Sequence, residues 1–243
     1  MIAVTVLYGL SSLLIFNRTY WLLRPLHWIS SVFLGYIIII AVTTIVDMVR
    51  KGYSPGANNN ASGIALLMEL ADYYSKNQPK NLNLTFLFTG ASECSSAGII
   101  NFIPKNSADF EDKMFINITG VGAGRITFTS TEGNIIRYQC SRELQHIAYR
   151  AAKSTGLGNL EPVKYQGINT DCLAILSNNL KGISVMGFDD GYPVNIYSRQ
   201  DLAVNIDDEI LKKSFRLIKE MIALLDDRSF LEEKDLKISA PEQ

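Results

Sequence analysis

From Trp28 to Val46 the chain runs without one charged residue. At about 1.5 Å per residue in a helix, that stretch covers close to the ~30 Å hydrocarbon core of a bilayer. Its Ile37–Ile40 block is apolar on every side, which suits a lipid-facing helix better than a core helix with one buried stripe. An earlier apolar run, Ile2–Phe16, is broken only by Thr5, Gly9, Ser11 and Ser12, and spans with help from its flanks or a thinner bilayer. Asn17-Arg18-Thr19 separates the two runs, and Tyr20, Trp21 and Trp28 stand where interfacial aromatics belong. A signal peptide would need a basic start, which Met1-Ile2-Ala3 does not offer. The expectation is a membrane hairpin over residues 1–50, with helices at about 2–16 and 28–46, making a two-pass protein that contacts lipid through these helices. Arg18 and Arg24 lie between the runs while Arg50 and Lys51 follow the second, so the basic residues do not set an orientation.

The remainder of the 243 residues is enough for one sizeable domain, expected over residues 51–226 and followed by a charged tail, 227–243. A formal net charge of -1 leaves no basic stripe to neutralise phosphates, which argues against a nucleic-acid partner. Cys94, Cys140 and Cys172 have no spacing that suggests a disulfide framework or zinc knot, and read as small buried residues. His27 and His146 are the only histidines, and both read as satisfied or surface residues.

Ser54-Pro55-Gly56-Ala57-Asn58-Asn59-Asn60-Ala61-Ser62-Gly63 is a polar turn rich in residues that tolerate left-handed geometry. Behind it Ile64, Leu67, Met68, Ala71 and Tyr74 recur at helical spacing, predicting a helix over Ala61–Lys76 that stops at Asn77-Gln78-Pro79. Leu82–Thr89 reads as a strand covered on both faces, followed by a turn and a short helix through Phe102. Strands are expected at Met114–Thr119, Arg125–Ser130, Gly182–Gly187 and, more weakly, Ile135–Gln139; helices at Ser141–Ser154 and Asp207–Asp226. This alternation predicts an α/β fold, a mostly parallel sheet flanked by helices. Sites in such folds form from loops at the carboxyl ends of strands. Four polar turns, at Asn58–Asn60, Ser92–Glu93, Thr119 and Asn195–Asp201, are therefore expected to meet at one rim.

The Ser54–Gly63 run resembles the Ser-Pro-Gly-Ala-Asn-Asp-Asn-Ala-Ser-Gly signature of the M28 family of zinc aminopeptidases. Phe88-Thr89-Gly90-Ala91-Ser92-Glu93 is similar to the family's Glu-Glu turn, and Ile116–Gly122 to its strand ending in a metal-binding Asp. Asn195-Ile196-Tyr197-Ser198-Arg199-Gln200-Asp201 is similar to its last His motif. The resemblance covers about residues 54–226 and implies a zinc-exopeptidase-like fold with two zinc ions, bridged by an Asp and a water and served by a Glu base. Carried over residue by residue, the bridging Asp becomes Asn59 and the base Ser92. The ligating Glu is Glu93, the second Asp is Thr119 and the last His is Tyr197. The first His belongs to an upstream His-x-Asp segment, and the chain, which opens on the hairpin, is expected to lack it; simple spacing puts Asp47 nearest that role.

Two adjacent divalent cations repel, and need several anionic ligands between and around them. Glu93 is the one carboxylate left at these positions; Asn brings no charge, and Ser and Thr hydroxyls are poor zinc ligands. Ser92 does not titrate near neutrality and cannot replace Glu as base. No His is placed to make it a nucleophile, so it reads as a hydroxyl cap on the following helix. Cys94 is a candidate odd ligand beside it. The expectation is a membrane-anchored, non-catalytic peptidase-like domain without zinc, whose neutral cleft hydrogen-bonds a peptide or other polar ligand. One alternative is an active aminopeptidase recruiting Asp47, Asp171 or Asp201, the last two as possible cleft residues; another is a truncated product without activity.

Overall fold

The computed structural model describes residues 24–51, 54–103, 110, 113–158, 160–167 and 169–227. It divides into two units, Met1–Tyr53 and Ser54–Gln243. The first holds helix α1, Arg24–Lys51, in which Trp28–Arg50 is long and apolar enough to cross a membrane. Its apolar side chains are open on all sides, Trp28, Val32, Ile39 and Val49 among them. The Thr43 hydroxyl donates back to the carbonyls of Ile39 and Ile40, both at 2.9 Å, which is how a polar side chain is satisfied in an apolar helix. The expected first helix, 2–16, lies outside the described residues, as does the tail beyond Asp227.

The second unit is a three-layer α/β domain. Helix α2 (Gly63–Lys76) is followed by α3 (Ala97–Phe102), strands β1 (Met114–Ile118), β2 (Arg125–Glu132) and β3 (Tyr138–Gln139), and α4 (Arg142–Ser154). Then come β4 (Val163–Tyr165), α5 (Asp171–Ser177), β5 (Lys181–Asp189), β6 (Tyr192–Pro193) and α6 (Asp208–Asp226). Ser141 caps α4 by accepting from the Leu144 amide, and Asp207 caps α6 by accepting from Glu209 and Ile210. Three elements carried no legible signal: β4 and β6 are too short for a period to show, and α5 is a seven-residue helix.

The sheet runs β1-β5-β2-β3, with β4 on β2 and β6 on β5. Pairing is mixed rather than mostly parallel: β1 with β5 and β2 with β4 are parallel, while β2 with β5, β2 with β3 and β5 with β6 are antiparallel. Alternation of elements does not reveal direction, because β5 turns back through Asp190-Gly191 into β6 without a crossover helix. One face carries α2, α4 and α6, where Leu66, Leu70, Ile147, Ala151, Leu217 and Met221 pack on Phe128, Ile183 and Val185. On the other, Ile99 and Ile103 of α3 meet Ala174 and Ile175 of α5.

Leu82–Thr89 is not a strand in a ladder. Its burial alternates residue by residue from Asn81 to Phe86, as along a strand, but among the described residues Asn83–Thr89 makes no backbone–backbone hydrogen bond. Leu82, Leu84 and Phe86 pack on the main core and Leu87 packs on the second cluster, while Asn83 and Thr85 are exposed, so one face is covered along its length and the other only at its end. Of Ile135–Gln139 only Tyr138–Gln139 pairs, and Ile135 is 98% exposed.

At Gly187 a side chain has no room, since a Cβ there would stand 1.9 Å from the Ala123 carbonyl oxygen. Gly187→Ala is expected to cost about 1–3 kcal/mol through overpacking of the β5 crossing. Urea unfolding checks it, and an unchanged midpoint would mean that the loop yields freely.

Candidate functional site

The Ser54–Gly63 run folds as a tight turn rather than as the start of a helix. Gly56 takes a left-handed φ of 74°, Ala57–Ser62 forms one wide turn with a cis Asn59–Asn60 peptide, and α2 begins at Gly63. The alternate side chains of this turn do structural work. The Asn58 side-chain carbonyl accepts from the Gly122 amide at 2.8 Å and its amide donates to Val194 O at 3.0 Å. Asn60 Oδ1 accepts from the Gly120 amide at 3.2 Å, and Ser62 Oγ from the Val121 amide at 3.1 Å. Three polar side chains thus fasten the turn to the loop that follows β1.

Asp201 fastens it from the other side. It is 1% exposed, and its carboxylate accepts from the Asn58 and Asn59 amides. Expected as a cleft residue or substitute ligand, it instead lies outside the cleft lining with both oxygens committed to the backbone. Two backbone donors on one buried carboxylate are what allow it to be there at all.

Asn59 is left facing the rim, and the four turns do meet there. The cleft is about 290 Å³ in volume, and Asn59, Ser92, Glu93, Thr119, Asp171 and Tyr197 all border it. Here the positions that resemble zinc ligands bond to each other. The Tyr197 hydroxyl donates to Glu93 Oε2 at 2.5 Å, and the Thr119 hydroxyl to Asn59 Oδ1 at 3.2 Å. Asn195 and Tyr197 hold left-handed φ values of 60° and 54°, a conformation costly for a bulky residue, in the segment that brings the phenol to Glu93. Desolvation of the hydroxyl, then the Glu93 hydrogen bond and charge, push the Tyr197 phenol up to about 12.

Asp171, at the start of α5, accepts a hydrogen bond from the Thr89 hydroxyl through Oδ2, while its Oδ1 is buried without a partner. Ser92 does not cap a helix: α3 starts at Ala97, and Ser92 is an exposed turn residue whose carbonyl accepts from the Ser96 amide at 2.8 Å. Cys94 is exposed, unlike the buried Cys140 and Cys172. His146 lies on the exposed side of α4, and among the described residues no histidine borders the cleft. Asp47 belongs to α1 in the other unit.

Sequence spacing did not disclose a second cluster. Glu132, Cys140 and Cys172 place their ligand atoms within 4.8 Å of one another, fully inside the core, and form a candidate metal site. The Glu132 carboxylate accepts from the hydroxyls of Thr129, at 2.8 Å, and Thr170. Burial pushes the Cys172 thiol up, helped by its hydrogen bond to Cys140 and the charge of Glu132, so the metal-free state keeps it protonated. β2, the turn after β3 and α5 supply one residue each, and only the fold brings them together.

The rim pairing makes a spectroscopic prediction. In the folded protein the Tyr197 pKa lies above its ordinary 10.0, so the stabilisation from this phenol is complete below 10.0 and is lost as pH rises through about 12. Tyrosinate absorbance of the protein minus that of Tyr197→Phe should show a midpoint near 12, moving down toward 10.0 in Glu93→Gln. A midpoint at 10.0 in the unsubstituted protein would mean that the pair does not form in solution.

Solved structures of similar fold bear on this geometry. An aminopeptidase from Aneurinibacillus sp. strain AM-1 superposes with a TM-score of 0.56 at 19% identity, over 70% of this chain and 40% of that one. The zinc aminopeptidase BSAP from Bacillus subtilis gives 0.60 at 18%, over 70% and 42%. A glutaminyl cyclase from an Acidobacteriales bacterium gives 0.53 at 19%, over 71% and 63%. The chain therefore spans about two-fifths of the length of these aminopeptidases. No curated protein matches it by sequence. The sequence model of peptidase family M28 matches residues 40–222, most of the α/β domain and the end of α1, and the chain belongs to that family.

Proposed function

We propose that this chain is a membrane-tethered M28 domain that holds no zinc pair and does not hydrolyse peptides, and that its cleft binds a peptide or other polar ligand by hydrogen bonds. The observation that carries the reading is the direct pairing of the ligand positions, Tyr197 with Glu93 and Asn59 with Thr119. In a metal site these oxygens would converge on cations; here the one carboxylate among the five positions is engaged by a phenol hydrogen bond. A zinc pair needs bridging and flanking anions to offset its own repulsion, and one Glu with two hydroxyls, an amide and a phenol does not supply them. At the base position Ser92 has no proton affinity near neutrality with which to activate a water. What such a cleft offers is a set of neutral donors and acceptors suited to backbone amides.

Support for the tether comes from α1, whose Trp28–Arg50 stretch is apolar, exposed among the described residues and of a length that matches a bilayer. A second reading, an aminopeptidase with substitute ligands, is favoured by one atom. Asp171 Oδ1 has no partner at the cleft, some distance in sequence from any expected ligand. Asp201, the other substitute, is spent on the Asn58–Asn59 turn.

Two measurements test the proposal. Detergent-purified protein should contain fewer than two zinc ions per chain by elemental analysis, with any single one lost in Cys172→Ser and so assigned to the buried Glu132, Cys140 and Cys172 cluster, and it should release no N-terminal residue from a peptide panel. Two zinc ions per chain, or chelator-sensitive release, would establish the second reading instead. The protein should also stay with membranes through an alkaline carbonate wash; its appearance in the supernatant would overturn the tether.

A further inference from the structure

The buried cluster of Glu132, Cys140 and Cys172 holds a charge that the core does not offset. Glu132 is 1% exposed, and both cysteines are closed to solvent. Its Oε1 accepts from the Thr129 hydroxyl at 2.8 Å and its Oε2 from the Thr170 hydroxyl. Among the described residues these two hydroxyls, both neutral, are its hydrogen-bond partners. A carboxylate taken out of water is costly unless a cation or a full set of donors replaces the solvent. An ionised carboxylate has about four acceptor sites, and the two hydroxyls use one on each oxygen. A lone pair is left on each, and the ligand-type atoms beside them are the sulfurs of Cys140 and Cys172.

The geometry is close to that of a metal site. The three ligand atoms lie within 4.8 Å of one another. With bonds of about 2.3 Å to sulfur and 2.0 Å to oxygen, the ligand atoms of a tetrahedral zinc stand about 3.5–3.8 Å apart, so side-chain movements of up to about 1 Å bring these onto one ion. Neighbouring groups already orient the donors. Thr170 accepts from the Leu173 amide at 3.2 Å as the cap of α5 and turns its proton to Glu132. Thr129 Oγ1 accepts from the Ser184 amide at 3.1 Å, donates to Glu132 and stands 3.3 Å from Cys140 Sγ. Ser184 Oγ accepts from Asn117 Nδ2 at 2.9 Å, and its own bond to Cys172 favours the thiolate against the burial that opposes it. Hydrogen bonds of this kind fix the ligands of metal centres. Room for the Cys172 sulfur depends on Gly182 of β5, where a Cβ would stand 3.0 Å from Sγ. Two sulfurs and a carboxylate suit zinc, whereas magnesium and calcium take oxygen donors alone.

We propose that Glu132, Cys140 and Cys172 bind a single zinc ion as a closed structural site inside the core, apart from the cleft. Each thiol gives up its proton to solvent as its Zn–S bond forms, and no electron is transferred. Glu132 binds through both oxygens, using the lone pair that each hydroxyl leaves, so the ion has four donors. Since the cluster is closed to solvent, the ion enters while the chain folds. It joins β2, the turn after β3 and α5 at one point, and holds in place the first turn of α5, where Asp171 precedes Cys172 and borders the cleft. The proposal does not rest on the reading of the rim, which concerns a zinc pair at other residues.

The test uses the full chain isolated in detergent from zinc-replete cells, where elemental analysis should find one zinc ion per chain. Isolated instead from cells grown with cobalt in place of zinc, the unsubstituted chain should show a thiolate-to-cobalt charge-transfer band and the strong visible bands of a tetrahedral ion. Cys172→Ser and Glu132→Gln should each leave well under one ion per chain, while Glu93→Gln at the rim should leave the content unchanged. Glu132→Gln keeps the shape of the side chain, and an unchanged circular dichroism spectrum verifies that the variant folds. Folded protein without zinc, a cobalt spectrum without the thiolate band, or an ion lost in Glu93→Gln and kept in Cys172→Ser would overturn the site. So would a disulfide between Cys140 and Cys172 in protein whose thiols are blocked at lysis. An ion pair that remains in Cys172→Ser overturns the reading of the rim, and a zinc content unchanged by Cys172→Ser overturns the core site, so each fails on its own observation.

Discussion

A buried carboxylate holds the functional end of this domain together. Asp201 accepts the Asn58 and Asn59 amides from one side while the side chains of Asn58, Asn60 and Ser62 take the amides of Gly120–Gly122 on the other. The turn is a polar plug inside an apolar frame, and each of its groups is committed before any ligand arrives. That saturation keeps α2, the end of β1 and the segment before α6 in register with one another. A buried charge is tolerable here because it receives backbone hydrogen bonds in place of water.

With the frame fixed by those bonds, the rim carries Glu93 and Asp171 as its charged side chains among the described residues. Asn59, Ser92, Thr119 and Tyr197 stand where the M28 resemblance calls for carboxylates and an imidazole, and hydroxyl-to-carbonyl and phenol-to-carboxylate bonds now close the gaps between them. The elements that border the rim are joined by the Tyr197–Glu93 and Thr119–Asn59 hydrogen bonds and by the Asp201 plug. The shared scaffold and the altered donor set have separate physical causes.

The Leu82–Thr89 segment is held in a different way. A central strand needs neighbours on both edges, and Leu82–Thr89 has the apolar content for such a position but, among the described residues, no ladder to join. Its side chains hold it against the core through Leu82, Leu84 and Phe86, so packing keeps it extended although backbone pairing does not. Packing and pairing are separable contributions, and this segment has only the first.

The sequence alone determined much of this protein. The uncharged Trp28–Val46 run fixed a helix of membrane length, the periodicities of Arg142–Ser154 and Asp208–Asp226 fixed two amphipathic helices, and the ordered motifs fixed the family. Residue chemistry at Asn59, Ser92, Thr119 and Tyr197 was enough to show that the usual charges are missing. Only the tertiary structure decided what replaced them. Hydrogen-bond partners such as Tyr197 and Glu93, or Asp201 and the Asn58–Asn59 turn, are far apart in sequence and carry no mutual signal along the chain. The same holds for Glu132, Cys140 and Cys172, and for strand direction and the unpaired Leu82–Thr89 edge: local composition reports which residues favour burial or extension, while pairing depends on neighbours that the fold alone supplies.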